Sequence, residues 1–177
     1  MKVYDRDKNI PPKEFLKKKR NPIYVILDNL RSAYNVGAIF RTCDAFLIRK
    51  LILCGITAHP PNKKLKKTAM LAERYVSWEY IKDTDNAVRK LQEEGVAVYG
   101  CERTEVSESL KNVEVTFPCG LIFGNEANGV AKKVLEICDG IIEIPMMGFK
   151  NSLNVATTAG IIIYGVMQKI DLQENER

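Results

Sequence analysis

Short, wholly apolar runs and longer stretches with a helical repeat take turns along this chain. The runs are IYVIL from Ile23, LILC from Leu51, VAVYGC from Val96, GLIFG from Gly120 and GIIEIP from Gly140. Runs of this length without polar alternation predict strands buried on both faces, the habit of a parallel sheet covered by helices. Between the first two, Val36, Ile39, Phe40 and Cys43 fall at i, i+3, i+4 and i+7 and predict an amphipathic helix. AHPPNKKLKK from Ala58 reads as a loop, TAMLAERY from Thr68 as a short helix, and DNAVRKLQEEG from Asp85 as a fuller one stopped by Gly95. A helix through VAKKVLEIC separates the last two strands, and a final helix is expected from near Ser152 to about Lys169. Strands and helices in alternation predict an α/β fold, a mostly parallel sheet with helices on both faces.

Charge changes this picture at one end. The chain of 177 residues carries a formal net charge of +5. Residues 1–21 hold eight Lys and Arg against Asp5, Asp7 and Glu14, so their surplus equals that of the whole chain and the remainder is formally neutral. Residues 1–21 are therefore expected to form a basic N-terminal arm, and residues 22–177 the folded domain. KKKR at Lys17–Arg20 and a second cluster at Lys63, Lys64, Lys66 and Lys67 suit contact with a polyanion through its phosphates. A solubilising tail and a solvated face fit the charge equally well.

No apolar run reaches the length of a membrane span, and the opening residues lack the apolar stretch of a secretory signal. The expected compartment is the cytoplasm, with no membrane partner. The five cysteines stand singly in apolar segments, with no CxxC pair, and read as reduced, mostly buried small hydrophobes. With one histidine, His59, a metal site built from His and Cys is not expected.

In sheets of this kind ligands bind in the loops beyond the carboxyl ends of the strands. Two such loops collect polar residues that the apolar pattern does not use. GNEANG, Gly124–Gly129, follows the strand LIF and sets Glu126 between two glycines. PMMGFKNSLN, from Pro145, follows IIEI and contains Ser152, a good helix cap. Val130 and Ala131 stand at the Lys and Ser/Thr positions of a P-loop, and no GxGxxG follows a strand, which argues against nucleoside triphosphates and nicotinamide dinucleotides. Arg41 poses a further question because it lies off the apolar stripe of its helix. By residue type it is a solvated charge or a cation for an anionic ligand. Asn35 is a cap or a hydrogen-bonding site residue. Glu126 is a surface carboxylate, or one that orients Arg41 or accepts a proton. Ser152 and Asn154 are caps or shape a ligand loop. His59 reads as a loop surface residue, and Tyr34 and Phe149 as core residues with base stacking as their other use.

NVGAIFRT (Asn35–Thr42), LIFGNEANGV (Leu121–Val130) and IPMMGFKNSLNVATTAGIIIYG (Ile144–Gly165) together resemble the three motifs of the SpoU family, also called TrmH, of SPOUT RNA ribose methyltransferases. The resemblance covers nearly all of Ile23–Gly165. It is specific because three motifs agree in order and in strand-loop-helix setting. It implies a SPOUT-type fold whose last loop and helix thread an earlier loop to make a C-terminal deep trefoil knot, an exception to the usual absence of knots. It implies S-adenosylmethionine bound by Gly124, Ile144, Met146, Ser152 and Leu153, with Cys101 a further candidate. It also implies a homodimer paired beside the knot. Ala156, Gly165 and Leu71 depart from the Ser, Glu and small residue common in the family, and none of the three is assigned to chemistry.

The activity implied is methyl transfer to a ribose 2′-hydroxyl of tRNA or rRNA, with Arg41, Asn35, Glu126, Ser152 and Asn154 as the catalytic set. Such transfer aligns donor and acceptor in line and stabilises an oxygen that becomes more anionic, and a planar cation near the hydroxyl and its phosphate suits both tasks. That is the role given to Arg41. Proton abstraction by this Arg, also ascribed to the family, needs a neutral guanidine, which a pKa above about 12 makes costly at neutral pH. The alternative is an RNA-binding protein that kept the knot and lost catalysis. The joint presence of the five residues speaks against it.

Overall fold

The computed structural model describes residues 10–175. The strands are β1 (Asn21–Asp28), β2 (Ile48–Cys54), β3 (Trp78–Ile81), β4 (Ala97–Cys101), β5 (Glu108–Ser109), β6 (Cys119–Phe123) and β7 (Gly140–Glu143). They form one sheet in the order β3-β2-β1-β6-β4-β7-β5, and every neighbouring pair is parallel. All strands therefore end on one edge. The helices are α1 (Pro12–Phe15), α2 (Ala33–Ala45), α3 (Lys63–Ala69), α4 (Thr84–Glu93), α5 (Lys132–Leu135) and α6 (Val155–Asn175).

Alternate side chains of the central strands feed two cores. Val25, Leu27, Leu51, Leu53, Leu121 and Phe123 join Ile39 and Phe40 of α2, Leu65 of α3, and Ile162 and Val166 of α6 on one face. Ile26, Ile52 and Ile122 meet Val88 and Leu91 of α4 and Val134 of α5 on the other. Burying each such side chain stabilises the fold by about 1.5–3 kcal/mol, which is why runs with no polar position occupy the middle of the sheet. Two helix contacts depend on glycine. A side chain at Gly37 would collide with Thr68 and the Leu65 carbonyl, so α2 and α3 touch backbone to backbone there, and Gly165 of α6 makes room for Leu110.

Several elements differ from the sequence reading. Strands β3 and β5 were not anticipated. Residues expected as loop form α3, which Asn62 caps by accepting from the amides of Lys64 and Leu65. The expected helix from Thr68 is instead the end of α3, two left-handed residues (Met70 and Leu71) and a 3-10 turn at Ala72–Arg74. Helix α6 starts at Val155 and is capped by Asn154, whose Oδ1 accepts from the Ala156 amide at 2.9 Å, not by Ser152.

The described part of the arm lies on the body. Phe15 meets Tyr75 edge-on with centroids 5.4 Å apart, Arg20 donates to the Tyr75 carbonyl at 2.8 Å, and β1 already begins at Asn21. Lys2, Arg6 and Lys8 lie outside the described residues. The five cysteines are free thiols, four buried and Cys138 partly so.

Candidate active site

Beyond the ends of β4, β6 and β7 the loops surround a cleft of about 1040 Å³. Cys101, Gly124, Ile144, Met146, Ser152 and Leu153 line it, as do Glu126 and Asn154. Parallel strands explain the convergence, because their carboxyl ends share one edge and the chain must turn there. The turn after β6 is tight. Asn125 and Gly129 exchange two backbone hydrogen bonds of 3.0 and 2.8 Å, and a side chain at Gly124 would run into the backbone of Gly129 and Val130. Gly129 has φ +67°, which glycine adopts without strain.

This turn delivers Glu126 to the start of α2. Its carboxylate accepts from the backbone amides of Arg31 at 2.8 Å and Ser32 at 3.0 Å, and from the Asn35 side-chain amide at 2.9 Å. Burial alone raises its pKa, but the donors of Arg31, Asn35, its own amide and Ser32 outweigh burial and hold it below the usual carboxylate range. Glu126 is thus an ionised anchor whose oxygens are already engaged. The Asn35 oxygen in turn accepts from the Asn154 side chain at 3.3 Å. Asn35, Glu126 and Asn154 form one network tying α2, the β6 turn and the start of α6. The capping role at the start of α2 belongs to Ser32, which accepts from the Asn35 amide, so Asn35 is free to serve this network.

Arg41 stands apart from it. Six residues separate it from Asn35, which in a helix is about 9 Å along the axis and about 120° around it. Arg41 is exposed and does not line the cleft, and among the described residues no carboxylate pairs with it. The expected Glu126–Arg41 pair is replaced by the Glu126 bonds to α2. Ser152 lines the cleft with an exposed side chain. Phe149 is 98% exposed and Tyr34 is also exposed, which corrects the core reading of both. His59 is exposed as expected.

Two participants were missed. Glu102, directly after β4, lines the cleft and accepts from the amides of Val130 at 3.2 Å and Arg103 at 3.1 Å. Its position after a strand end, the rule that selected Gly124, was the available signal. Asn125 pins the turn by donating to the Asn29 carbonyl at 2.7 Å while its oxygen accepts from Ala127 and Asn128. The Cys101 thiol is pushed well up by burial, with smaller contributions from Cys138, Cys119 and Glu102, so it is a neutral wall of the cleft and not a nucleophile. Among the described residues no group of three or more His, Cys, Asp and Glu side chains is placed to hold a metal ion.

The sequence profile of the SpoU rRNA Methylase family matches residues 22–164. The chain belongs to this family. It is 35% identical over 155 residues to the tRNA (guanosine(18)-2'-O)-methyltransferase of Aquifex aeolicus, covering 86% of this chain and 72% of that one. The crystal structure of the A. aeolicus TrmH/SpoU tRNA modifying enzyme matches with a TM-score of 0.78 at 28% identity, over 92% of this chain and 82% of that one. The AdoMet-bound rRNA methyltransferase from Sinorhizobium meliloti matches with a TM-score of 0.79 at 26% identity, over 85% of this chain and 57% of that one. The present chain therefore spans little more than half the length of that last family member.

Proposed function

We propose that this chain is an S-adenosylmethionine-dependent methyltransferase that modifies a ribose 2′-hydroxyl of tRNA or rRNA. The carrying observation is the cleft at the ends of β4, β6 and β7 with the Asn35–Glu126–Asn154 network at its side, in a chain whose family relatives are named for this reaction. The lining fits the methyl donor. Its volume is of the order of known ligand pockets, its walls mix apolar Ile144 and Leu153 with polar Ser152, and neutral Cys101 presents no competing nucleophile. The bound donor supplies an electrophilic methyl group. Glu126 fixes the start of α2, and Asn35 and Asn154 hold the two motif loops at a set distance, so the acceptor hydroxyl meets a pre-organised site. Arg41 binds the phosphate beside that hydroxyl and stabilises the oxygen as it gains negative charge.

The reading includes a C-terminal trefoil knot, supported by the path of α6, which leaves β7 through the cleft loop and packs on α2 and β6 beyond β4. It includes a homodimer. On α6, Ile161 is 40% and Tyr164 52% exposed, and Phe46 at the end of α2 lies 5.9 Å from Tyr164, so α6 presents apolar surface beside the end of α2. The enzyme works in the cytoplasm, where its RNA is, with the expected basic arm of residues 1–21 running directly into β1, whose first residue is Asn21.

The test is transfer of labelled methyl groups to tRNA and rRNA, with mapping of 2′-O-methyl sites in RNA from cells with and without the gene. A site that disappears with the gene is the expected result. Donor binding without methylation of any RNA favours the RNA-binding alternative, and absence of binding to the donor or its demethylated product sinks both.

A further inference from the structure

We propose that the outer edge of the sheet carries a second RNA contact, in which His59, Trp78 and Tyr80 form a stacking platform beside the lysines of α3 for a single strand of RNA flanking the modified nucleotide. The proposal rests on the RNA reading above and adds a surface to it. His59 lies over Trp78 with centroids 6.2 Å apart and planes at 22°, and 5.1 Å from Tyr80. Trp78 backs onto the core, and the Tyr80 hydroxyl donates to the Gly55 carbonyl at 3.1 Å, so the rings are held from behind. Their outer side is open. Tyr80 is 43% exposed, His59 is exposed, and Ile56 on the same rim is exposed as well.

The electrostatics select the occupant. Lys63, Lys64, Lys66 and Lys67 of α3 reach solvent, and among the described residues none of them pairs with a carboxylate. On the edge strand itself Glu79 is already neutralised by Lys50 and Lys90, and Asp85 nearby by Lys133. Unpaired lysines next to stacked aromatic rings match the phosphates and bases of an unpaired strand, whereas the bases of a duplex are stacked on one another and closed to such rings.

Placement connects this surface to the cleft. The His59 loop follows β2, and Tyr80 stands near the end of β3, so the platform runs from Trp78 at the start of β3 toward the sheet edge that holds the cleft. Three strand spacings, roughly 14 Å, separate β3 from β6. Helix α3 fills the gap against α2, with Thr68 donating to the Tyr34 carbonyl at 2.8 Å. A strand leaving the cleft along α2 passes the lysines before it meets the rings.

Trp78 is the chain's one tryptophan, so its fluorescence reads this surface. The full chain is titrated with oligouridine of roughly a dozen nucleotides, within the range of single-strand site sizes, and with a duplex of equal length. Quenching of Trp78 by the single strand and not by the duplex is expected. Changing Lys63, Lys64, Lys66 and Lys67 together to Gln should lower the salt dependence, by about 0.7 in the slope of log affinity against log salt for each phosphate that is no longer bound. His59→Ala should weaken binding roughly fivefold to tenfold. S-adenosylmethionine affinity, measured on the same variants, should stay as in the parent and shows that they fold. Binding of oligouridine that leaves Trp78 unquenched, or that neither variant weakens, overturns the platform alone. No binding of any RNA by the parent protein overturns the RNA reading with it.

Discussion

Glu126 shows how one carboxylate turns a loop into a site. Three donors from the start of α2 converge on it, and they hold its pKa below the usual range although burial pushes the other way. A folded-state pKa below the unfolded value gives stability that is present above the unfolded pKa, about 4.3 for Glu, and lost as pH falls through the folded value. Glu126→Gln keeps the shape but turns one acceptor oxygen into a donor facing N–H groups. At neutral pH the variant should be less stable by about 1 kcal/mol, a charge-assisted bond discounted for exposure. Below about pH 4 that difference should shrink, because the unfolded carboxyl takes up its proton first and the folded one follows as pH falls through its lowered value. Chemical denaturation of both proteins at the two pH values measures it, and a difference independent of pH would mean the charge plays no part.

Among the elements, the segment after α3 holds two adjacent left-handed residues, where Asn29 and Leu47 stand singly. Met70 has φ +50° and Leu71 φ +75°, a left-handed pair without glycine, and both side chains are exposed, Leu71 by 45%. The left-handed region costs a non-glycine residue about 1–2 kcal/mol, while glycine adds roughly 0.5–1 kcal/mol of unfolded-chain entropy. Leu71→Gly should therefore raise stability by about 0.5–1 kcal/mol, a shift of roughly 2 °C in Tm by calorimetry. A lowered Tm would show that the Leu71 side chain is packed in the working protein, as a dimer contact would require. The same stretch marks where sequence reading stopped. Helix α3 offers only Leu65 and Ala69 to the core among four lysines, too thin a stripe to stand out from a loop. Strand β3 mixes Glu79 with Trp78 and Tyr80 because it is an edge, half open to solvent, and β5 is two residues long. The central strands were legible because both of their faces are buried.

At the scale of the whole molecule, the cleft lining could be read from the strand-end rule and the family motifs, and the Asn35–Glu126–Asn154 network could not. Its members lie 91 and 119 residues apart in sequence, and only the folded topology brings them together. Arg41 is the converse case. The motif sets it in the same helix as Asn35, yet the helix turns it away from the cleft to an exposed face of α2. We propose that Arg41 acts across the proposed homodimer, each copy supplying its guanidinium to the cleft of the other. Arg41→Ala should then lower methyl transfer by about a hundredfold or more and leave donor affinity within a few-fold, as loss of one charge stabiliser does. Asn154→Ala, which cuts the network and the cap of α6, should be similarly inactive. Mixed in equal amounts and allowed to exchange, the two variants form heterodimers in about half of the dimers, and one of the two clefts in each then has both an intact lining and an intact Arg41, so about a quarter of parental activity should return. If Arg41 serves the cleft of its own chain, no intact site exists in any mixture and activity stays at the level of the single variants. Light scattering on the same samples reports whether dimers are present, and a monomer near the chain mass of 20.0 kDa would exclude the arrangement.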